Sequence, residues 1–138
     1  MNRILLIDDD IDDAGLFREA LKRIAPSILF QYFNEGEEAL RNLLEEKNVL
    51  PDIIFVDINM PKINGWEFLV GIRELRHLKQ VPVIIYSTSS EEKEIRKAKQ
   101  LGANGFITKP DSFTQLKEML ATILAQPVEL LAKTLDGI

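Results

Sequence analysis

Four groups of polar residues could together carry out phosphoryl-transfer chemistry. Each directly follows a short apolar run: Asp8-Asp9-Asp10, Asp57, Ser87-Thr88 and Lys109. Carboxylates gathered at one place repel each other and raise one another's pKa unless a cation lies among them. Asp8, Asp9 and Asp57 bring three negative charges and Lys109 one positive charge, so a divalent cation would neutralise the group. Oxygen ligands from few carboxylates suit Mg²⁺, which keeps several waters and leaves a position for a phosphoryl oxygen.

Asp57 is the candidate nucleophile of this group. An ionised carboxylate attacks phosphorus and forms an aspartyl phosphate. Because the transition state spreads charge over the equatorial oxygens, catalysis needs a metal ion, an ammonium group and hydroxyl or amide donors around them. The acid pair Asp8 and Asp9, the hydroxyl of Ser87 and the ammonium group of Lys109 are residues of these types.

Strands that alternate with helices are predicted to position these residues. Short apolar runs recur at Ile4–Ile7, Ile28–Phe33, Ile53–Val56, Val81–Tyr86 and Gly105–Thr108. Nearly continuous apolar runs are typical of parallel strands buried on both faces. The alternation predicts an α/β fold, a (βα)5 doubly wound parallel sheet, and ligands in such a sheet bind at the carboxyl ends of the strands.

Helical spacing of apolar residues fills the segments between the runs. The predicted buried faces are Leu16, Ala20, Leu21 and Ile24; Ala39, Leu40, Leu43 and Leu44; Phe68, Leu69, Ile72 and Leu75; Ile95, Ala98 and Leu101; and Leu116, Met119, Leu120 and Ile123. We expect N-terminal caps at Asn34, Ser89 and Ser112, each followed three residues later by Glu or Gln. Gly102 is placed for a left-handed C-terminal cap.

Composition excludes several classes of protein. The 138 residues contain no cysteine, which excludes disulfide frameworks, thiolate metal sites and cysteine nucleophiles. The net charge of −5 argues against direct nucleic-acid binding, which normally needs a basic surface. The apolar runs are too short to cross a membrane or to form a secretory signal, so we expect a cytoplasmic protein without a membrane partner.

The motifs resemble the receiver domain of bacterial two-component response regulators, particularly the single-domain, chemotaxis-regulator type. The similarity rests on Ile4–Asp9, Val56–Pro61 with Asn64-Gly65, Val81–Ser87 and Gly102–Pro110, which occur in order and at matching spacings. It covers roughly residues 2 to 125. The resemblance implies a flavodoxin-like fold with strand order 2-1-3-4-5.

The resemblance also assigns a role to each residue of the acidic group. Asp57 would be the phospho-acceptor. Asp8 and Asp9 would be the acid pair that binds Mg²⁺, together with Asp57 and the backbone carbonyl of Asn59.

Three further residues would respond to the phosphoryl group in this family pattern. Ser87, rather than its neighbour Thr88, would be the switch hydroxyl. Lys109 would contact the phosphoryl group and precede a Pro bond that is usually cis in this fold. Phe106 occupies the position of the switch aromatic, and as a Phe it can gain burial but cannot donate a hydroxyl hydrogen bond.

The implied function is that of a stand-alone response regulator. A histidine kinase or a histidine phosphotransfer protein would phosphorylate Asp57, and the surface of helix 4, strand 5 and helix 5 would pass the change to a downstream protein target. We expect the receiver domain to span residues 1–125, with no output domain after it and no enzymatic activity beyond its own phosphorylation and dephosphorylation. Residues 126–138 form an apolar tail after a helix-breaking Pro127, and we expect a short docked helix there, with a homodimer or partner contact as the alternative.

Three other functions compete with this one. Asp8, Asp10, Asp12 and Glu19 imitate the spacing of a calcium loop, but Asp13 stands where that loop needs Gly. Phosphatases with an aspartyl-phosphate intermediate usually carry a second Asp two residues after the nucleophile, where this chain has Asn59. A degenerate receiver that is never phosphorylated would not need the complete set of acid pair, acceptor, hydroxyl and lysine.

Overall fold

The computed structural model describes residues 1–45 and 47–126, in which strands and helices alternate along the chain. The strands are β1 (Arg3–Ile7), β2 (Leu29–Phe33), β3 (Ile53–Val56), β4 (Val83–Ser87) and β5 (Gly105–Thr108). The helices are α1 (Ile11–Ile24), α2 (Gly36–Leu44), α3 (Gly65–Arg73), α4 (Glu92–Gln100) and α5 (Phe113–Leu124), with a short 3₁₀ helix at Arg76–Leu78.

The five strands form one parallel sheet in the order β2-β1-β3-β4-β5, as predicted. All residues of β3 and β4 are buried, in keeping with their nearly continuous apolar sequences, and the terminal Ser87 of β4 is buried with them. The register pairs Ile7 with Val56 and Val56 with Ile85, so β1, β3 and β4 run alongside one another to nearly the same edge. The residues that follow these strands therefore meet at one edge of the sheet.

The sheet separates two apolar cores. On one face, α1 and α5 pack against β1, β3 and β4, and Phe17 of α1 contacts the rings of Phe55 and Tyr86 with centroid distances of 5.1 and 5.6 Å. On the other face, α2, α3 and α4 pack against the same strands. Alternate residues of a strand point to opposite faces, so Leu5 joins one core and Leu6 the other.

Some helix ends follow the sequence signals. Ser112 caps α5, since its Oγ accepts a hydrogen bond from Gln115 N at 3.1 Å. Gly102 follows α4 with a φ of 98°, a conformation that costs glycine little. Both predictions are confirmed.

The caps predicted at Asn34 and Ser89 are wrong. Helices α2 and α4 begin after Glu35 and Glu91, and neither of these residues makes a side-chain cap hydrogen bond. The helices begin one or two residues later than the polar signals predict. Ser89 Oγ accepts a hydrogen bond from Glu91 N at 3.3 Å, but this amide belongs to the N-cap residue and not to the first turn of α4.

Two predicted buried positions are exposed. Leu16 is 51% exposed and Leu44 is 53% exposed. The buried face of α1 is set by Phe17, Ala20 and Leu21. Leu16 lies outside this face and is one of the residues that line a small cavity between α1 and the start of α5. Leu44 is the last residue of α2 and follows Leu43, the last buried residue of this helix.

Other expectations fall outside what the structure tests. From residue 127 onward the predicted tail helix lies outside the described residues, and the domain boundary at 125 stays a prediction. Within the described part of the chain, no helix combines the length and apolar character needed to cross a membrane.

Candidate functional site

The predicted site residues come together at the carboxyl edge of the sheet. Asp8 follows β1, Asp57 follows β3, Ser87 ends β4 and Lys109 follows β5. Backbone hydrogen bonds continue the strand register past the strand ends: Asp57 N donates to Ile7 O at 2.9 Å and Lys109 N donates to Ser87 O at 2.7 Å. The sheet itself therefore sets the spacing of these side chains.

Asp8, Asp9 and Asp57 form a cluster of carboxylates. Each offers an oxygen, and these oxygens lie within 4.8 Å of one another. Asp8 is fully buried and Asp57 is 7% exposed, whereas Asp9 is exposed. This separation allows a single cation to contact all three side chains, and the exposed Asp9 leaves the cluster open to solvent. The predicted convergence of the acid pair and Asp57 is confirmed.

Lys109 is the cation already present in this cluster. Its Nζ lies 2.8 Å from Asp8 Oδ2, 2.9 Å from Asp13 Oδ2 and 4.0 Å from Asp57 Oδ2. Burial by itself lowers the pKa of Lys109, but its pairing with Asp13 and Asp8 outweighs burial and raises the pKa above the ordinary value. Lys109 therefore stays positively charged at neutral pH.

Burial also perturbs the carboxyl groups. It raises the pKa of Asp57 to about 7, an effect that Lys109 opposes and the negative charge of Asp8 reinforces. The pKa of Asp8 is raised as well, mainly by burial. One ammonium group is thus too little positive charge for these carboxylates, and a bound cation would restore the balance.

One buried oxygen points to where such a cation would bind. Asp8 Oδ1 accepts a hydrogen bond from Asp10 N at 2.9 Å. Asp8 Oδ2 is fully buried, and its one close polar neighbour among the described residues is Lys109 Nζ, an ion-pair partner at 2.8 Å that Asp13 shares. Buried polar atoms without hydrogen bonds are rare. A buried carboxylate oxygen that has only a shared ammonium group as partner, beside two other carboxylates, fits a divalent cation with oxygen ligands.

The loop between β1 and α1 is held by contacts that the sequence did not reveal. Tyr32 of β2 donates its hydroxyl hydrogen to the backbone oxygen of Asp8 at 2.7 Å. Asp10 caps α1, since its Oδ1 accepts from Asp13 N at 3.0 Å. From the sequence, Asp13 served only as an argument against a calcium loop. Asp13 lies in the first turn of α1, close to the strand end that carries Asp8 and Asp9, and this closeness in sequence to the acid pair was the available signal for a site role. No sequence signal pointed to Tyr32.

The loop after β3 approaches α3 closely. Gly65 N donates to Ile58 O at 2.8 Å, and a Cβ at Gly65 would collide with the backbone oxygen of Asp57. Asn64 and Glu67 close a reciprocal capping box at the start of α3. The helix therefore fixes the backbone that carries Asp57. Asn59 lies exposed on this loop, two residues after Asp57.

Ser87 and Phe106 lie on the α4 side of the acidic cluster. Ser87 is fully buried, and its Oγ accepts a hydrogen bond from Ser89 N at 3.2 Å, whereas Thr88 is exposed. Phe106 is 5% exposed and packs in the core cluster that contains Ala98 of α4.

The bond between Lys109 and Pro110 differs from the family expectation. It is trans, whereas the resemblance implied cis. The two isomers of such a bond differ by only about 0.5–1 kcal/mol before tertiary contacts act.

Comparison with known proteins matches this geometry. The model of the response regulator receiver domain matches residues 4–121. The chain is 32% identical over 113 residues to the chemotaxis protein CheY-3 of Vibrio cholerae, covering 82% of this chain and 87% of that protein. The phosphorylated cyanobacterial phytochrome response regulator RcpA has a TM-score of 0.80 at 32% identity, covering 88% of this chain and 90% of its own. The Mn²⁺-bound form of response regulator Rcp1 has a TM-score of 0.79 at 29% identity, covering 91% and 93%.

Proposed function

Because this chain belongs to the response regulator receiver domain family, we propose that it accepts a phosphoryl group on Asp57 in a Mg²⁺-dependent reaction. Receiver domains are phospho-acceptors of two-component signalling without a true enzymatic role, and they interact with histidine kinases or phosphotransfer proteins. One observation carries the proposal. The oxygens of Asp8, Asp9 and Asp57 converge within 4.8 Å of one another, beside the ammonium group of Lys109.

Magnesium is the metal that we propose for the acidic cluster. The carboxylates of Asp8, Asp9 and Asp57 and the backbone carbonyl of Asn59 would hold it. The buried Asp8 Oδ2, which shares the Lys109 ammonium group with Asp13, supports a cation at this place, and Mn²⁺, the ion in the Rcp1 structure, prefers similar oxygen ligands. When bound, the metal ion would neutralise the carboxylates and polarise a phosphoryl oxygen.

Asp57 Oδ2 is the proposed attacking atom. Asp57 Oδ1 accepts a hydrogen bond from Ile58 N at 2.9 Å, which leaves Oδ2 toward Lys109. Oδ2 forms a bond to phosphorus while the bond from phosphorus to the donor, a histidine nitrogen or the oxygen of a small phosphodonor, breaks. Lys109 then pairs with the phosphoryl oxygens and offsets their charge.

Ser87 is the proposed switch hydroxyl. A turn of its Oγ toward the phosphoryl group would break the hydrogen bond from Ser89 N and draw in the loop before α4. Within α4 only Ala98 is fully buried, and the N-cap Glu91 makes no side-chain cap hydrogen bond, so a shift of this helix would disturb few fully buried side chains. Phosphorylation would thus bias α4 and the loop before it between two positions.

Phe106 is the proposed partner of Ser87 in this change. It is already buried among Ala98 and Ala103. We therefore propose that Phe106 acts by repacking inside the core as Ser87 and α4 move, rather than by swinging in from solvent.

The face of α4, β5 and α5 is the proposed output surface for a downstream protein. Its α4 portion is strongly charged and exposed, with an ion pair between Glu92 and Arg96 at 3.1 Å. The similarity to CheY-3 over most of that protein's length supports a stand-alone regulator. The mass of the endogenous protein on an immunoblot tests that status, and light scattering with and without phosphorylation tests a homodimer.

Incubation with Mg²⁺ and acetyl phosphate tests the phospho-acceptor. We expect an alkali-labile mass increase of about 80 Da that disappears in Asp57→Asn and on addition of EDTA. Asp52→Asn is the matched control, because Asp52 lies at the other end of β3 and accepts hydrogen bonds from Asn2 N and Arg3 N. No adduct with any donor would indicate a degenerate receiver. Sustained hydrolysis of added phosphate esters would indicate a phosphatase.

A further inference from the structure

We propose that Asp13 is a positioning residue that holds Lys109 away from Asp57 until a phosphoryl group is present. The inference rests on the proposed phospho-acceptor function. Asp13 belongs neither to the acid pair nor to the acceptor or the switch. In this role, its carboxylate competes with a phosphoryl group on Asp57 for Lys109.

The contacts of Lys109 define this role. Its Nζ donates a hydrogen bond to Asp13 Oδ2 at 2.9 Å and lies 2.8 Å from Asp8 Oδ2. Asp57 Oδ2 is 4.0 Å away, beyond hydrogen-bond distance. The ammonium group that lies beside Asp57 is therefore held by two other carboxylates.

The position of Asp13 stabilises its ion pair with Lys109. It lies in the first turn of α1, and its backbone N–H donates to the capping side chain of Asp10 at 3.0 Å. Its side chain is 34% exposed, whereas the Lys109 side chain is 9% exposed. The helix thus presents a fixed carboxylate to a buried ammonium group, and the pair is less screened than a surface ion pair.

Metal binding would not release the lysine from Asp13. A cation on the Asp8 carboxylate weakens the attraction between Asp8 and Lys109 but leaves the Asp13 contact unchanged. A phosphoryl group on Asp57 must then compete with Asp13 for the same Nζ. Asp13 therefore raises the cost of binding a phosphoryl group, while its negative charge favours the metal ion.

A neutral residue at position 13 should change the two affinities in opposite directions. Without the Asp13 carboxylate, Lys109 has one competitor fewer when it pairs with a phosphoryl group. The affinity for the phosphoryl group therefore rises. The loss of one nearby negative charge, together with a lysine that now competes harder for Asp8 and Asp57, lowers metal affinity. If Asp13 only helped to pack α1 in place, its replacement would disturb the site and weaken both ligands.

Calorimetric titration of the full chain distinguishes these roles. Mg²⁺ is titrated alone, and beryllofluoride, a stable analogue of the phosphoryl group, is titrated in saturating Mg²⁺. For Asp13→Asn we expect the Kd for Mg²⁺ to rise about threefold and the Kd for beryllofluoride to fall about threefold, as one charge at short range in a polar site would give. Asp12→Asn, the same change at the exposed neighbouring residue, should alter neither Kd by more than about 1.5-fold because solvent screens it.

Two further variants show whether the changes in Kd come from the loss of the carboxylate or from a folding defect that is specific to Asp13→Asn. Asp13→Ala should shift both constants in the same directions as Asp13→Asn. Asp13→Glu, which restores the carboxylate, should return both toward wild type.

Each result bears on one proposal or the other. Equal weakening of both ligands, or beryllofluoride affinities that do not change between wild type and Asp13→Asn, would overturn the role of Asp13 and leave the phospho-acceptor function intact. A wild-type chain that binds Mg²⁺ but not beryllofluoride would refute the phospho-acceptor function, and the role of Asp13 would fall with it.

Discussion

Replacement of Asp57 by Asn should stabilise the metal-free protein at alkaline pH. Burial and the negative charge of Asp8 raise the pKa of Asp57 from 3.8 to about 7, even though Lys109 opposes the rise. Each tenfold change in proton affinity is worth about 1.4 kcal/mol, and roughly three such factors separate the two values, which sets a ceiling of about 4 kcal/mol. The added amide NH₂ needs an acceptor of its own, so we expect a net gain in the free energy of unfolding of about 1–3 kcal/mol.

The gain should depend on pH in a defined way. A carboxyl with a raised pKa in the folded state keeps its proton between about pH 4 and pH 7, while the unfolded chain releases it. The wild-type free energy of unfolding should therefore fall as the pH rises through this window, because Asp57, and with it Asp8, has a raised pKa in the folded state. Asp57→Asn removes the largest part of this dependence. The two proteins should differ most near about pH 8 and least near about pH 4.

Urea unfolding in EDTA, monitored by far-UV circular dichroism at these two pH values, measures the effect. Asp52→Asn serves as the control, because Asp52 lies at the opposite end of β3 from the acidic cluster. Saturating Mg²⁺ should stabilise the wild type more than Asp57→Asn, since a ligand of the folded state shifts the unfolding equilibrium. An Asp57→Asn protein no more stable than wild type at the alkaline pH, or a difference that is equal at both pH values, would refute the electrostatic reasoning.

Three other substitutions test the backbone around the site. Gly65→Ala should lower the free energy of unfolding by about 2 kcal/mol or more, as measured by urea unfolding, because its Cβ would collide with the Asp57 backbone; unchanged stability would contradict the close approach. Lys62→Gly should raise the melting temperature by an amount equivalent to about 0.5–1 kcal/mol, because Lys62 has a φ of 64°; a lower melting temperature would count against strain there. Tyr32→Phe should weaken Mg²⁺ binding about threefold in calorimetry, because it removes the hydroxyl that holds the Asp8 backbone oxygen at 2.7 Å; an unchanged Kd would show that the loop does not need this contact.

The fold could be predicted from the sequence because the apolar runs and the helical spacing that indicate it are local and repeat along the chain. β3 and β5 have the predicted bounds, and β1, β2 and β4 shift by only one or two residues. The first residues of the helices were harder to predict. Asn34 and Ser89 are good cap residues by type, but α2 and α4 begin where packing against the sheet places them, since tertiary contacts outweigh a cap worth about 1 kcal/mol.

The position of the candidate site was likewise predictable. Asp8, Asp57, Ser87 and Lys109 each follow or end a strand, and the carboxyl ends of parallel strands share one edge of the sheet. Their convergence thus follows from topology alone, without knowledge of any side-chain contact. The roles of these residues, of Asn59 and of Phe106 stay predictions for the experiments above.

The order of elements, the parallel sheet and the edge where the acidic residues gather were determined by the sequence itself, through apolar runs and the residues that follow them. Only the tertiary structure decided which carboxylates hold Lys109, because Asp13 is 96 residues away along the chain. It likewise decided that the Tyr32 hydroxyl contacts the Asp8 backbone. Such contacts depend on how α1 and the neighbouring strands are packed, to within about an ångström. Periodicity and residue type specify which face is buried, but they do not specify distances between side chains on different elements.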